Sequence, residues 1–303
     1  MENVFSKLTK LNTANVKIKT PLGIPNYVSH YLELSPKQDA LQELKRLEQL
    51  INDVIKSDKK FIDKNVNVEF INYGKTQLVF LATTSKGKQY TLMVNQPGTK
   101  FGFGKNEYNN LQRLNQIAPN LAIKPMAYFA EDNHELYVTP YCKNARCICV
   151  DSKNWGMWIP EMGYCFKKFT TLEKSIVNSS MVAALINMYD EDNQQGVANC
   201  RLDGGDFMLS REVENAAMTY DNVFKNLKLI AARDFVKLSL SDYIDQLRLE
   251  LLSSGAKKDE LKILGQRLKQ PLTLQEINTG VAIGMTMRGQ VKNAMPETKE
   301  RSL

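Results

Sequence analysis

The sequence predicts an α+β fold, with a β-rich half followed by a mainly helical half. Between Val66 and Tyr141 the apolar residues fall in short runs broken by turn residues, whereas beyond Tyr141 they recur mostly at helical spacing. With 303 residues and 43% hydrophobic content, the chain has enough apolar surface for one large or two smaller cores.

Residues 1–34 lack a clear period and contain Pro21, Gly23 and Pro25, so they read as an irregular arm. Ser35-Pro36-Lys37-Gln38 then sets an N-cap, a first-turn proline and a capping-box glutamine in order. Leu41, Leu44, Leu47, Ile51 and Val54 follow as one apolar stripe, which predicts a helix to about Lys56. Residues 1–65 are therefore an arm and a helix packed on a β-rich lobe spanning 66–141. That lobe opens with strands at Val66–Tyr73, Gln77–Thr84 and Gln89–Asn95. Turns at Gly74-Lys75 and Lys86-Gly87-Lys88 make them an antiparallel meander. A helix over about Asn106–Ile117 places Glu107, Leu111 and Leu114 on one face. Strands at Ala122–Ala130 and Glu135–Tyr141 complete the lobe.

Residues 142–295 read as a helical lobe carrying an irregular aromatic insertion at 147–169, with Trp155, Trp158 and Tyr164. Helices are expected at Leu172–Tyr189, Arg211–Val236, Ser241–Leu252 and Lys258–Leu268. A further helix is opened by the capping box Thr273-Leu274-Gln275-Glu276. Gly196–Ser210 reads as a β-hairpin turned at Asp203-Gly204-Gly205, and residues 296–303 as a flexible tail.

Forty basic and 33 acidic residues give a net charge of +7, but the charges are scattered and no basic run marks a nucleic-acid arm. Aromatic residues are not interleaved with basic patches, so a base-stacking platform is disfavoured. The five cysteines form no CxxC pair and read as reduced thiols, and two histidines exclude a histidine-rich metal site. There is no run of 18 apolar residues, and Met1–Lys10 is too polar for a signal peptide. The expectation is a cytoplasmic protein with no membrane span, with export by a signal-less route left open.

Gly74 stands five residues before Val79, and the stretch Tyr90-Thr91-Leu92-Met93-Val94 follows one hairpin later. Asp190 in Tyr189-Asp190-Glu191-Asp192-Asn193 precedes by 16 residues Asp206 in Gly204-Gly205-Asp206-Phe207-Met208. In these motifs, and in its order of three strands, a helix and two strands, the chain resembles the protein-kinase-like superfamily, which includes kinases of the aminoglycoside phosphotransferase type. The resemblance covers about Val66–Ser210 and implies a two-lobed fold holding a nucleotide between its lobes. ATP and magnesium are the implied cofactors.

The resemblance places Gly74 at the middle glycine of the phosphate loop, with Asn72 and Gln77 at the flanking glycine positions. Val79 would cover the adenine, and the backbone from Thr139 through Tyr141 would meet its edge. Met93 occupies the position of the phosphate-holding lysine, for which Lys88, Lys100 and Lys105 are the nearby substitutes. Glu107 would pair with the phosphate-holding group, Asp190 would orient an acceptor hydroxyl, and Asp206 would hold magnesium. No His-Arg precedes Asp190, Gln195 replaces the metal-binding asparagine, and Met208 replaces the glycine of the DFG motif.

Two functions follow as expectations. One is an atypical, metal-dependent phosphotransferase with a protein partner or substrate. The other is a catalytically inactive pseudokinase serving as an interaction scaffold or effector, which the missing lysine favours. Arg201-Leu202-Asp203-Gly204-Gly205-Asp206-Phe207 also resembles the GGDEF hairpin of nucleotide cyclases, but that family alternates strands and helices, unlike this chain.

Overall fold

The computed structural model describes residues 15–16, 49–51, 53–54, 66–73, 76–95, 99–131, 134–143, 145–149, 156–159, 164–198, 206–214, 216–232, 234–253 and 272–294. The chain is α+β and divides into two compact units. The first comprises Met1–Gln112, Ile123–Lys143 and Ile159–Tyr164, and the second Arg113–Ala122, Asn144–Trp158 and Cys165–Leu303. Among the described residues no helix is long and apolar enough to cross a membrane.

The first unit is organised by a sheet of strands β1 (Asn15–Val16), β2 (Asn67–Tyr73), β3 (Gln77–Thr83), β4 (Gln89–Asn95), β5 (Ala127–Glu131) and β6 (His134–Pro140), in the order β1-β2-β3-β4-β6-β5. Strands β2 to β6 pair antiparallel, as their alternating sequences predict, and only the short β1 joins in parallel. On one face, Leu78, Phe80, Ala82, Leu92, Val94, Leu136 and Val138 are each 2% exposed or less and form the core. From the expected first helix, residues 49–51, 53 and 54 are helical, with Ile51 and Val54 buried; the rest of that stretch and Gly74-Lys75 lie outside the described residues.

Helix α1 (Phe103–Ile117) begins three residues before the Asn106 that its apolar period suggests. The earlier start comes from a partner distant in sequence. The buried Glu135 carboxylate accepts the backbone N–H groups of Gly102, Gly104 and Lys105 at 2.9, 3.1 and 3.1 Å. It thereby satisfies helix-end donors and places negative charge at the positive end of the helix dipole. Gly102 supplies the left-handed turn into the helix, with φ +93°.

Within 147–169, expected to be irregular, residues 147–149, 156–159 and 164–168 are strand, while 150–155 and 160–163, with Trp155, lie outside the described residues. Strands β7 (Ala145–Cys149), β8 (Gly156–Ile159) and β9 (Tyr164–Lys168) join β11 (Phe207–Ser210) and β12 (Leu227–Leu229) in a sheet of order β12-β11-β7-β8-β9. The expected long helix at Arg211–Val236 is likewise corrected. It is divided into a 3-10 turn at Arg211–Glu214, helix α3 (Tyr220–Asn226), β12 and strand β13 (Asp234–Lys237). The apolar spacing there is nearly helical, but Leu227 and Leu229 pair with β11, and Phe235 and Val236 with β10 (Gln195–Ala198). Sheet pairing overrides local spacing at those positions.

The hairpin expected at Gly196–Ser210 is not formed either. Its arms belong to different sheets, β10 pairing with β13 and β11 with β7 and β12. Residues 199–205, with the proposed turn, lie outside the described residues, as do most of the first arm, Lys258–Leu268 and the tail.

Helix α2 (Thr171–Asn187) opens on a Thr170–Glu173 capping box and is buried from Ile176 through Ile186. A helix apolar on all sides belongs in a core. Helix α4 (Leu240–Ser253) matches its expected span within a residue at each end. Helix α5 (Leu274–Ala294) starts at the expected box, where Glu276 Oε2 accepts from Thr273 N at 2.7 Å and Thr273 Oγ1 accepts from Glu276 N at 3.2 Å. Gly280 lies against Ser179 and Val182, and Gly284 against Ala183 and Ile186, so α2 and α5 run in the same direction with their backbones in close approach.

Candidate functional site

Apart from Asp206, and Gly74 outside the described residues, the residues implicated by the sequence fall in two places, each within one unit. On the β3–β4–β6 sheet, directly opposed residues share a face. The register sets Val79 opposite Met93, Met93 opposite Tyr137, and Thr91 opposite Thr139. Val79 and Met93 are half-buried and Thr139 is buried. Tyr141 follows β6 and donates its N–H to Gln89 O at 3.3 Å.

Glu107 reaches the same sheet from α1 and is 1% exposed. Its Oε2 accepts from Gln77 Nε2 at 2.6 Å, a helix-to-strand hydrogen bond from a neutral amide on β3. The neighbouring Glu135 is wholly buried. Beyond the three backbone donors, it accepts from Asn95 Nδ2 at 2.7 Å and from Tyr128 Oη at 2.5 Å. Burial, and then the hydrogen bond to Glu135 and its charge, raise the Tyr128 phenol well above its ordinary value. Gln77, Glu107, Asn95 and Glu135 thus pin α1 to the sheet through polar contacts.

The second place is the turn that carries Asp190. It is closed by two backbone hydrogen bonds, Asp190 N to Gln195 O at 2.8 Å and Gln195 N to Asp190 O at 3.0 Å, with Gln194 at φ +50°. Asp190 is 7% exposed. Its Oδ1 accepts from Asn193 N at 3.0 Å, and its Oδ2 from Asn193 Nδ2 at 3.1 Å and Arg113 Nε at 2.6 Å. Arg113 adds an ion pair to Asp190 through Nη2, donates from Nη1 to Gln195 Oε1, and lies 5.0 Å from the centre of the Phe235 ring. Burial by itself pushes the Asp190 carboxyl up. The Asn193 backbone N–H and the Arg113 and Asn193 side chains outweigh that and hold it below the usual carboxylate range.

A second arginine holds the turn from α5. Arg288 Nη1 donates to Ile186 O at 3.1 Å and Tyr189 O at 2.7 Å, and its Nη2 pairs with Glu191 Oε1 at 2.7 Å. It supplies positive charge and donors at the C-terminal end of α2, where carbonyls lack helical partners. The Tyr189 ring stacks on Tyr243 at 5.5 Å, and the two hydroxyls donate to Leu238 O and Val197 O at 2.6 and 2.9 Å. Around the turn lies a cleft of about 620 Å³, lined by the end of α1, the end of α2, the turn itself and Arg288.

Asp206 lies just before β11, 6% exposed, its carbonyl accepting from Ile230 N at 2.8 Å. The strand paired with the one after Asp190 is β13, and it runs into Leu238 and Ser239. Among the described residues no group of three or more His, Cys, Asp and Glu side chains is placed to hold a metal ion.

The sequence reading missed Arg113 and Arg288. Their partners lie 77 and 99 residues away, and neither arginine belongs to a local motif. No protein-family model matches the chain, and no curated protein matches its sequence.

Proposed function

We propose that this chain is a kinase-like protein without phosphotransfer activity, acting as a binding scaffold for a protein partner. The observation that carries this reading is the state of Asp190. A catalytic aspartate must offer an oxygen to an acceptor hydroxyl, whereas here Oδ2 is engaged by Arg113 and the Asn193 side chain and Oδ1 accepts the Asn193 backbone N–H. Met93, where the resemblance puts the phosphate-holding lysine, points the same way. One lost charge contact at a phosphoryl-transfer site costs about 3 kcal/mol of transition-state stabilisation, roughly a hundredfold in rate. The kinase-like assignment is supported by the antiparallel order β2-β3-β4-β6-β5 with α1 inserted between β4 and β5 in the chain.

The test is thermal unfolding with ATP, with and without magnesium or manganese, beside a radiolabelled ATP-turnover assay. The expected result is no metal-dependent shift and no turnover above buffer. A metal-dependent stabilisation that Asp206→Ala abolishes would restore the nucleotide-binding, metal-dependent phosphotransferase reading.

A further inference from the structure

We propose that one end of the β3–β4–β6–β5 sheet is a docking surface for an acidic protein segment, engaged by Lys86, Lys88, Lys124 and Lys143. The register brings the four lysines to the same end. Thr83 lies opposite Gln89, Tyr90 opposite Pro140 and Ala127 opposite Val138, so β3 and β6 finish where β4 and β5 begin. Lys86 and Lys88 sit in the β3–β4 turn, Lys143 three residues beyond the end of β6, and Lys124 three before the start of β5. Four adjacent strands span about 14 Å at the usual strand spacing. Neither Asp190 nor a nucleotide takes part, so this surface exists whether or not the chain transfers phosphate.

The backbone that carries these lysines is held by hydrogen bonds. In the β3–β4 turn, Thr84 N donates to Lys88 O and Gly87 N to Thr84 O, both at 2.9 Å, and Lys88 N donates to Thr84 Oγ1 at 3.1 Å, with Gly87 at φ +75°. After β6, Tyr141 N donates to Gln89 O at 3.3 Å and Lys143 N to Tyr141 O at 2.9 Å, and ahead of β5 Met126 N donates to Val138 O at 2.7 Å. A surface ordered in advance loses less entropy on binding.

All four lysines are exposed, and none has an ion-pair partner among the described residues. Residues 83–90, 124–127 and 138–143 contain no Asp, Glu or Arg. The positive charge is therefore uncompensated locally, and with a Debye length of about 8 Å at physiological salt a ligand here responds to this patch more than to the whole chain. A lysine ammonium is a compact point charge without the guanidinium fork, which suits several separate carboxylates better than one bidentate group. An extended acidic segment sets its same-side carboxylates about 7 Å apart, so three of them cover the width of the patch. Among the described residues no large apolar side chain is exposed at this end to enter a membrane beside the lysines. Tyr90 is buried and Tyr141 half-buried, so no exposed aromatic ring offers a stacking face to a nucleic-acid base.

The experiment is fluorescence anisotropy of the full chain with the labelled peptide Glu-Ser-Glu-Ser-Glu-Ser-Glu at low salt, beside its neutral counterpart with Gln at every Glu. Two variants each lose four charges. One carries Lys86→Gln, Lys88→Gln, Lys124→Gln and Lys143→Gln. The other carries Lys100→Gln, Lys105→Gln, Lys225→Gln and Lys237→Gln at exposed positions elsewhere. The acidic peptide is expected to bind saturably and the neutral one not to bind. The first variant should weaken binding by about tenfold or more and the second by less than about twofold. Equal weakening by the two variants would overturn the proposal, because net charge rather than this sheet end would then hold the peptide. So would the absence of saturable binding at millimolar peptide, or a neutral peptide that binds as well as the acidic one. Phosphatidylserine vesicles or an oligothymidylate that bound more tightly than the peptide, and lost that binding in the first variant, would give the surface to lipid or nucleic acid and equally overturn it.

Discussion

Replacing Gly280 with alanine should destabilise the second unit, although alanine is the better helix former. A Cβ at position 280 would lie 2.5 Å from Ser179 O and 2.6 Å from Val182 Cβ, whereas real Cβ contacts essentially never fall below 3.0 Å. The first obstacle is backbone, which cannot rotate aside, so α5 must move from α2 by about half an ångström or more to restore contact distance. Overpacking of this kind costs about 1–3 kcal/mol, and the gain in helix propensity returns about 1 kcal/mol. The net change should run from near zero to a loss of about 2 kcal/mol, which is about 1–3 kcal/mol below a Gly289→Ala control. Gly289 on the same helix is the control, because a Cβ there meets nothing within 4 Å. Gly289→Ala should therefore stabilise by up to about 1 kcal/mol. Urea denaturation combined with hydrogen exchange over the α2 and α5 peptides reads both variants, including any unfolding of one unit before the other. If Gly280→Ala proves as stable as Gly289→Ala, the two helices are not in backbone contact and the reasoning fails.

Three further outcomes follow from the polar contacts. Glu135→Ala leaves the backbone donors of Gly102, Gly104 and Lys105 unsatisfied and should cost about 3 kcal/mol. The faster hydrogen exchange should concentrate in the first turns of α1, and unchanged protection there would refute the capping role. Because the folded pKa of Tyr128 is raised, its contribution to stability is fully present below the ordinary tyrosine value and declines as pH rises beyond it. Ultraviolet titration should show Tyr128→Phe removing one late-ionising phenol. Asp190 has the opposite sign. Its depressed pKa contributes stability above the ordinary carboxylate value, lost as pH falls through the lower folded value. Asp190→Asn should flatten the stability curve in that acid window.

The fold was legible wherever a short stretch of sequence decides the outcome. Strand β4 occupies the predicted Gln89–Asn95, and α5 starts at its Thr273–Glu276 box, because alternation and capping act over a few residues. The segment from 211 to 236 departs from its helical spacing because its strands exist only through pairing with β10 and β11, which no local period records. The same limit applies to the candidate site. Asp190 and Glu107 were visible as acidic residues in unusual places, but the guanidinium that engages Asp190 arrives from α1 and the amide that meets Glu107 from β3. Neither contact belongs to a local motif, so no short stretch of sequence records it.

The central claim is that Asp190 is a structural anchor rather than a catalytic base, and its most direct test is a double-mutant cycle on stability with Arg113→Ala and Asp190→Asn. Removing one partner of a nearly buried, hydrogen-bonded ion pair should cost about 3 kcal/mol, and the double variant should be far less destabilised than the sum of the single variants. Catalytic groups held under functional strain behave differently, since their replacement commonly raises stability. Strong coupling with a destabilised Asp190→Asn is the predicted result, and an Asp190→Asn protein more stable than the wild type would contradict the account.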